Sequence, residues 1–168
     1  MYEPISSHIP KKTAHTNRKE ERTITMLNQD SIHLLKECDA GSKMAVTSLK
    51  DMLEHIKSES FYKLIKETLE HHENLGNEIH EYLNKCACSE KEPNPIAKGM
   101  SWLKTNMKLT MQDNDKTIAD LITDGCNMGI KSLYKYMNQY PNADEKVKDL
   151  CTRLISIEDQ LRKELRGY

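Results

Sequence analysis

The chain has 168 residues, enough for one domain with a buried core; 30% of them are charged and only 5% are aromatic. The net charge of −1 excludes a strong overall electrostatic field for binding nucleic acid or an acidic membrane surface. Few aromatic residues, six glycines and five prolines in a Lys- and Glu-rich sequence favour an all-α fold.

The cysteines and the hydropathy pattern predict where the protein resides. Five cysteines is an odd number, and the sequence contains neither a secretory apolar segment nor an apolar run long enough to span a membrane. We therefore expect a cytoplasmic protein with free thiols and no membrane partner. Cys38, Cys126 and Cys151 lie on or beside apolar helical faces, so we interpret them as small core residues.

The first 25 residues differ in composition from the rest of the chain. Pro4, Pro10 and several basic residues lie there among Ser, Thr and His, with almost no apolar side chain. Such a segment cannot bury enough surface to offset its ordering entropy. We predict a disordered tail over residues 1–25 and a helical bundle over residues 26–168. Acidic residues offset much of the basic charge of the tail, which disfavours a nucleic-acid partner.

The first predicted helix runs from about Asp30, a candidate N-cap, to Lys57. Seam is our name for the helix face formed by residues at alternating spacings of three and four. The centre of this first seam is polar, at Asp39 and Ser42. Its members are Ile32, Leu35, Asp39, Ser42, Val46, Leu49, Leu53 and Ile56.

The second predicted helix begins after Ser58, its expected cap, and continues to about Cys88, antiparallel to the first. The centre of its seam is also polar, at Thr68 and His72. Counting about 1.5 Å per residue from the shared turn places Asp39 and His72 within about one turn of each other. The seam residues are Phe61, Ile65, Thr68, His72, Leu75, Ile79, Tyr82 and Cys86.

A long connection is predicted between the second and third long helices. Pro93 and Pro95 indicate a linker, and an apolar periodicity then predicts a short extra helix over residues 96–111. The 26 residues from 89 to 114 are enough to travel the length of the bundle. We therefore expect the second and third long helices to be parallel, because an up-down bundle would need only a few residues here.

The last two long helices complete the predicted four-helix bundle. The third is expected over Lys116–Gln139 with Asp115 as N-cap, and Asn142 with Glu145 has the form of a capping box for the fourth. The fourth is expected to end at Arg166–Gly167.

Two glycines in the third helix, Gly125 and Gly129, share one helix face. A glycine inside a helix costs about 1 kcal/mol relative to Ala, so a local reason is expected. One interpretation is close packing against a neighbouring helix, and the other is room left for a ligand or a metal ion.

Polar residues at the level of His72 on the other helices form a candidate site. They are Asp39, Asp124, Asn127 and Glu158. One interpretation is a hydrogen bond between a carboxylate and His72 that fixes the helix register. A second is an iron or manganese site with Asp39, His72, Asp124 and Glu158 as ligands. In a third, these residues face solvent.

The spacing of Glu and His disfavours a standard di-iron centre. Such a centre needs Glu-x-x-His on two helices, because residues three apart project to the same inward face. This motif is missing from the sequence, and Glu67 with His71, four apart, is the nearest approach to it. The favoured interpretation is therefore that no cofactor is bound.

Three segments resemble a group of small, uncharacterised bacterial proteins placed with the ferritin-like four-helix bundles. They are Pro95–Trp102, Asn127–Ile130 and Asn138–Asp144 (Asn-Gln-Tyr-Pro-Asn-Ala-Asp). The resemblance extends over about Met26 to Arg166. It implies a ferritin-like fold with a possible carboxylate–histidine metal site, although this chain lacks the Glu-x-x-His motifs of that family.

The sequence thus predicts an all-α, ferritin-like four-helix bundle with a short extra helix in the crossover. The role that we expect is non-enzymatic: a structural or protein-interaction module, with a protein partner or self-association. The alternative is a metal-binding or oxidative-stress bundle with a degenerate carboxylate–histidine site.

Overall fold

The structure is a computed structural model that describes residues 27–86 and 114–168. This part of the chain is helical and contains no strand, which confirms the all-α prediction. None of its helices combines the length and the apolar character needed to cross a membrane. The helices are α1 (Gln29–Leu53), α2 (Glu59–Cys86), α3 (Asp115–Gln139) and α4 (Glu145–Glu164), followed by a short 3-10 helix (Leu165–Gly167).

Several sequence predictions lie outside the described residues. They are the disordered tail over residues 1–25, the linker with Pro93 and Pro95, and the short helix over residues 96–111. These stay predictions.

The first residues of α1 and α3 differ from the sequence prediction by one or two positions. Asn28, not Asp30, caps α1, and its Oδ1 accepts from the backbone N–H of Ser31 at 2.8 Å. Asn114, not Asp115, caps α3 in the same way. The two aspartates that were expected as caps instead accept hydrogen bonds from other segments of the chain.

Those hydrogen bonds also determine the directions of the helices. The carboxylate of Asp115, at the start of α3, accepts from the backbone N–H groups of Lys57 and Ser58 at 2.8 and 2.7 Å, just before α2. Helices α2 and α3 therefore begin at the same end of the bundle and run parallel, as predicted.

The start of α4 lies at the opposite end, beside the start of α1. Asp30 accepts from the backbone N–H of Asn142 at 2.9 Å, and Ser31 Oγ accepts from that of Asp144 at 2.7 Å. Asp144, not Asn142, is the N-cap residue of α4, and its side chain makes no cap hydrogen bond, so the capping box predicted at Asn142 and Glu145 is wrong. Asn142 is used instead in the contact with α1, where its carbonyl accepts from the Asn28 amide at 2.8 Å.

The core consists of two apolar clusters separated by a polar layer. The first contains Leu35 and Ile79, and the second contains Phe61 and Ile65. Between them every long helix contributes a polar or small residue at the same level. These residues are Ser42 on α1, His72 on α2, Gly129 on α3 and Glu158 on α4, joined by the contacts of Ser42 with the His72 carbonyl, of His72 with Glu158 and of Glu158 with the Cβ position of Gly129. Cys38, Cys126 and Cys151 are buried in the clusters, as predicted.

Helices α1 and α2 approach each other closely at Gly76. A Cβ atom at this position would lie only 2.4 Å from Ser42 Oγ. Ser42 is buried, and its hydroxyl donates to the carbonyl oxygen of His72 at 3.3 Å. Gly76 therefore lets the Ser42 hydroxyl reach the backbone of α2, which fixes the register of the two helices.

We expect Gly76→Ala to lower stability relative to Gly41→Ala. Each change removes a glycine from a helix, which by itself stabilises the folded protein by about 1 kcal/mol. A Cβ at position 41 meets no described atom within 4 Å, whereas at 76 it displaces Ser42 and breaks the hydrogen bond to His72. In urea unfolding, the free energy of unfolding of Gly41→Ala should exceed that of the wild type, and that of Gly76→Ala should equal the wild-type value or fall below it. Equal stabilisation by both changes would contradict the close approach.

Candidate functional site

The centre of the polar layer is His72, on the inward face of α2. The seam spacing places it between Thr68 and Leu75, so the same packing that buries apolar residues also buries this imidazole completely. Its Nε2 lies 3.4 Å from Oε1 of Glu158 on α4. Neither ring nitrogen makes a hydrogen bond within the described residues. A buried polar group without a partner costs about 1–3 kcal/mol, which makes His72 unusual.

Burial also determines the charge of His72. Removal from water lowers the pKa of His72, and this effect exceeds the opposing influence of Glu158, while His71 lowers the pKa further. The imidazole is therefore neutral at neutral pH, with one nitrogen that donates and one that accepts.

Glu158 is also almost completely buried, with 9% of its surface exposed. Its neighbour on α3 is the thiol of Cys126, whose pKa the carboxylate raises. On the same helix, a Cβ atom at Gly129 would lie 3.7 Å from the carboxylate. Within the described residues, His72 is the only residue within ion-pair distance of Glu158.

A cavity of about 210 Å³ lies beside these two side chains, between α1 and α3. His72 and Glu158 contribute to its inner wall, and the half-exposed Met128 shows that it reaches the surface. Its walls are mostly apolar, and they include Met44, Leu49, Met52, Leu121, Ile122 and Leu154.

Small residues on the two facing helices leave this space. Gly41 on α1 and Gly125 on α3 both line the cavity, and a Cβ atom at either would meet no described atom within 4 Å. Of the two interpretations of Gly125 and Gly129, close packing against a neighbouring helix has no support at Gly125 within the described residues. At that position the described residues leave open space, which the second interpretation requires.

Asp39 does not lie at the level of His72. Its carboxylate contacts Lys43 Nζ at 2.6 Å and His80 Nδ1 at 3.1 Å. His80 is eight residues beyond His72, or about 12 Å along α2. The expectation that Asp39 and His72 share one level is therefore wrong. Asp39 lies 14 residues before the end of α1 at Leu53, whereas His80 lies 21 residues after the start of α2 at Glu59. The connection between the helices therefore advances along the bundle axis and is not the compact turn that the counting assumed.

The remaining candidates lie on the outward side of α3. Asp124 is exposed, and so is Asn127, whose side-chain oxygen accepts from Arg162 at 3.4 Å. Of the four candidate metal ligands, the structure brings only His72 and Glu158 together. In residues 27–86 and 114–168, no three His, Cys, Asp or Glu side chains form a group that could hold a metal ion. The register interpretation needs a hydrogen bond between a carboxylate and His72. The described residues show His72 Nε2 3.4 Å from Glu158 Oε1 without such a hydrogen bond, so this interpretation stays a prediction.

Sequence reasoning missed the cavity and the close approach at Gly76. A signal for the cavity was available on α1, where Ala40, Gly41, Ala45 and Ser48 are all small residues that line it. The signal for Gly76 was its position one turn after His72, opposite the polar centre of α1.

Together the fold and the site define a class: a four-helix bundle with a buried histidine–glutamate pair at the inner wall of an apolar cavity. Comparison of the chain with protein-family models finds no match. Comparisons with curated proteins and with solved structures likewise find none.

Proposed function

We propose that the protein is a non-enzymatic bundle that binds a small, largely apolar molecule in the cavity between α1 and α3. The observation that carries this proposal is His72, which lines the cavity although it is fully buried and its ring nitrogens have no hydrogen-bond partner in the described residues. A ligand with one polar group would provide the partner. Ligand pockets typically combine apolar walls with a few polar groups in this way.

The chemistry of Cys126, which also lines the cavity, supports binding over catalysis. Burial raises the pKa of the Cys126 thiol, and the nearby carboxylate of Glu158 raises it further. This thiol is therefore protonated at neutral pH and is a poor nucleophile. The polar groups that remain for the ligand are hydrogen-bonding partners.

A binding assay tests the proposal directly. We expect benzyl alcohol, which joins an apolar ring to one hydroxyl group, to bind and to raise the melting temperature, because a ligand that binds only the folded state stabilises it. Gly125→Leu should abolish this effect, since the new side chain would occupy the space that the ligand needs.

The matched control is Gly167→Leu. Gly167 follows α4, does not line the cavity, and would also receive a Cβ atom without a close contact. This variant should respond to benzyl alcohol like the wild type. Loss of the response in both variants, or in neither, would contradict the proposed location.

Metal binding is a second candidate, and the proximity of His72 to Glu158 is the observation that favours it. An imidazole and a carboxylate can both bind iron or manganese, but a third ligand would have to come from the bound molecule or from water. Elemental analysis of protein purified from cells supplemented with iron and manganese tests this candidate. Metal far below one ion per chain would exclude it.

The relationship to ferritin-like bundles is part of the same proposal. It is supported by the parallel directions of α2 and α3, which such a crossover produces. The free thiols of the described cysteines support a cytoplasmic location. Self-association also stays a proposal, and the exposed Met128 and Tyr134 on α3 are candidates for such contacts. A strictly monomeric mass at high protein concentration would contradict it.

A further inference from the structure

We propose that the ligand of this cavity is an organic cation: an apolar body of about one ring that carries a protonated amine. This inference rests on the proposed function and names the chemical class of the molecule bound. It is carried by Glu158, a nearly buried carboxylate at the inner wall of the cavity without a cationic partner in the described residues.

The surroundings of Glu158 leave its charge largely uncompensated. Its contacts are the weakly donating thiol of Cys126 and the imidazole of His72 at 3.4 Å. His72 is neutral and cannot balance the negative charge. Burying a charge is costly unless an opposite charge or several hydrogen bonds accompany it. A ligand with a positive charge and N–H donors would supply both.

The nearest basic side chain on α4 is already engaged elsewhere. Arg162, one turn beyond Glu158, donates to Asp159 on its own helix and to Asn127 on α3. It makes no ion pair with Glu158. No Lys or Arg is among the described residues that line the cavity, so a ligand cation would meet no like charge there.

A second carboxylate on α1 makes the cavity unfavourable for an anion. Glu37 lines the cavity and lies near the hydroxyl of Tyr136 on α3. Burial and Glu37 together raise the pKa of Tyr136, which keeps its hydroxyl protonated. A carboxylate ligand would therefore be repelled by both Glu37 and Glu158, whereas an ammonium group would be attracted.

The size of the cavity limits the apolar body. A buried cavity of about 150 Å³ lined by Leu, Ile and Phe is known to hold benzene in another protein. At about 210 Å³ this cavity has room for one ring and a short arm. The ring would contact apolar walls such as Met44 and Leu121, and the amine would lie at His72 and Glu158. The neutral imidazole would accept one N–H of the amine through its free nitrogen.

Three probes of the same size and different charge test the inference. Benzylamine, which is protonated at neutral pH, benzyl alcohol and benzoate would each be titrated calorimetrically into the wild-type protein. We expect benzylamine to bind about tenfold more tightly than benzyl alcohol, because a hydrogen bond to a charged group is stronger than a neutral one. Benzoate should bind most weakly.

Two variants assign the preference to Glu158. In Glu158→Gln the preference for benzylamine over benzyl alcohol should disappear, since the amide keeps the shape of the side chain and removes its charge. The matched control is Glu164→Gln, an exposed position on the same helix that does not line the cavity, and it should keep the preference. Preference retained in Glu158→Gln would overturn the role of this carboxylate.

The wild-type titrations decide the inference even if Glu158→Gln does not fold. If benzyl alcohol or benzoate binds as tightly as benzylamine, the cation inference is overturned while the proposed binding function stands. If none of the three probes binds, both are overturned.

Discussion

Phe61→Ala is expected to destabilise the protein by about 3–5 kcal/mol, which is a large part of the stability of an ordinary domain. Phe61 is completely buried in the second core cluster and is one of its largest side chains. Its ring stacks on that of Tyr168 with a centroid distance of 4.6 Å. Truncation therefore removes both the buried apolar surface and an aromatic pair, and it leaves a cavity.

The neighbouring residue provides the control for this truncation. Tyr62 is also aromatic, but 43% of its surface is exposed, so Tyr62→Ala should change stability by about 0.5 kcal/mol or less. Urea unfolding would measure both variants. A shift of the midpoint for Phe61→Ala without a change in slope is the expected result. A loss below about 1 kcal/mol would mean that the end of the bundle is packed differently from the structure.

The second large effect is a loss of stability on acidification that depends on His72. Because burial lowers the pKa of His72, the unfolded chain binds a proton at a pH at which the folded chain does not. Above the unfolded-state pKa of about 6.5 neither state binds this proton, and His72 does not lower the free energy of unfolding. As the pH falls below that value, the unfolded chain takes up the proton and the free energy of unfolding decreases. The loss should approach about 1.4 kcal/mol per pH unit, until the pH reaches the lower pKa of the folded state.

Unfolding free energies measured at a series of pH values between neutral and mildly acidic would test this prediction. In His72→Leu the slope of the unfolding free energy against pH should decrease by the contribution of one proton. This expectation holds whatever the stability of the variant at neutral pH. His55→Leu removes an imidazole outside both core clusters and serves as the control. An unchanged slope in His72→Leu would show that His72 is accessible to protons in the folded protein.

The fold could largely be read from the sequence because the signals that define it are local. The seam of α2 needs only the spacing of residues such as Phe61, Ile65 and His72 along one helix. The parallel direction of α2 and α3 follows from the length of the connection between them. Individual caps were less predictable: Asp30 and Asp115 are good capping residues, but tertiary hydrogen bonds to Asn142, Lys57 and Ser58 engage them.

The candidate site could be predicted only in part, because its members lie on different helices. The inward position of His72 follows from its own helix, and Glu158 was a reasonable partner at the same depth. Asp39 was placed wrongly, since a few residues in the α1–α2 connection shift the register enough to bring it to His80. The sequence cannot specify such a shift, because the connection contributes few packing constraints of its own.

By itself the sequence determined that this chain forms long amphipathic helices with a polar interruption halfway along them. That is a property of residue order, since helical periodicity decides which side chains face inward together. Only the tertiary structure decided what the interruption contains. Side-chain packing across the bundle sets the offset and the separation of α1 and α3. At that separation an open cavity remains between Gly41 and Gly125, with His72 and Glu158 at its wall.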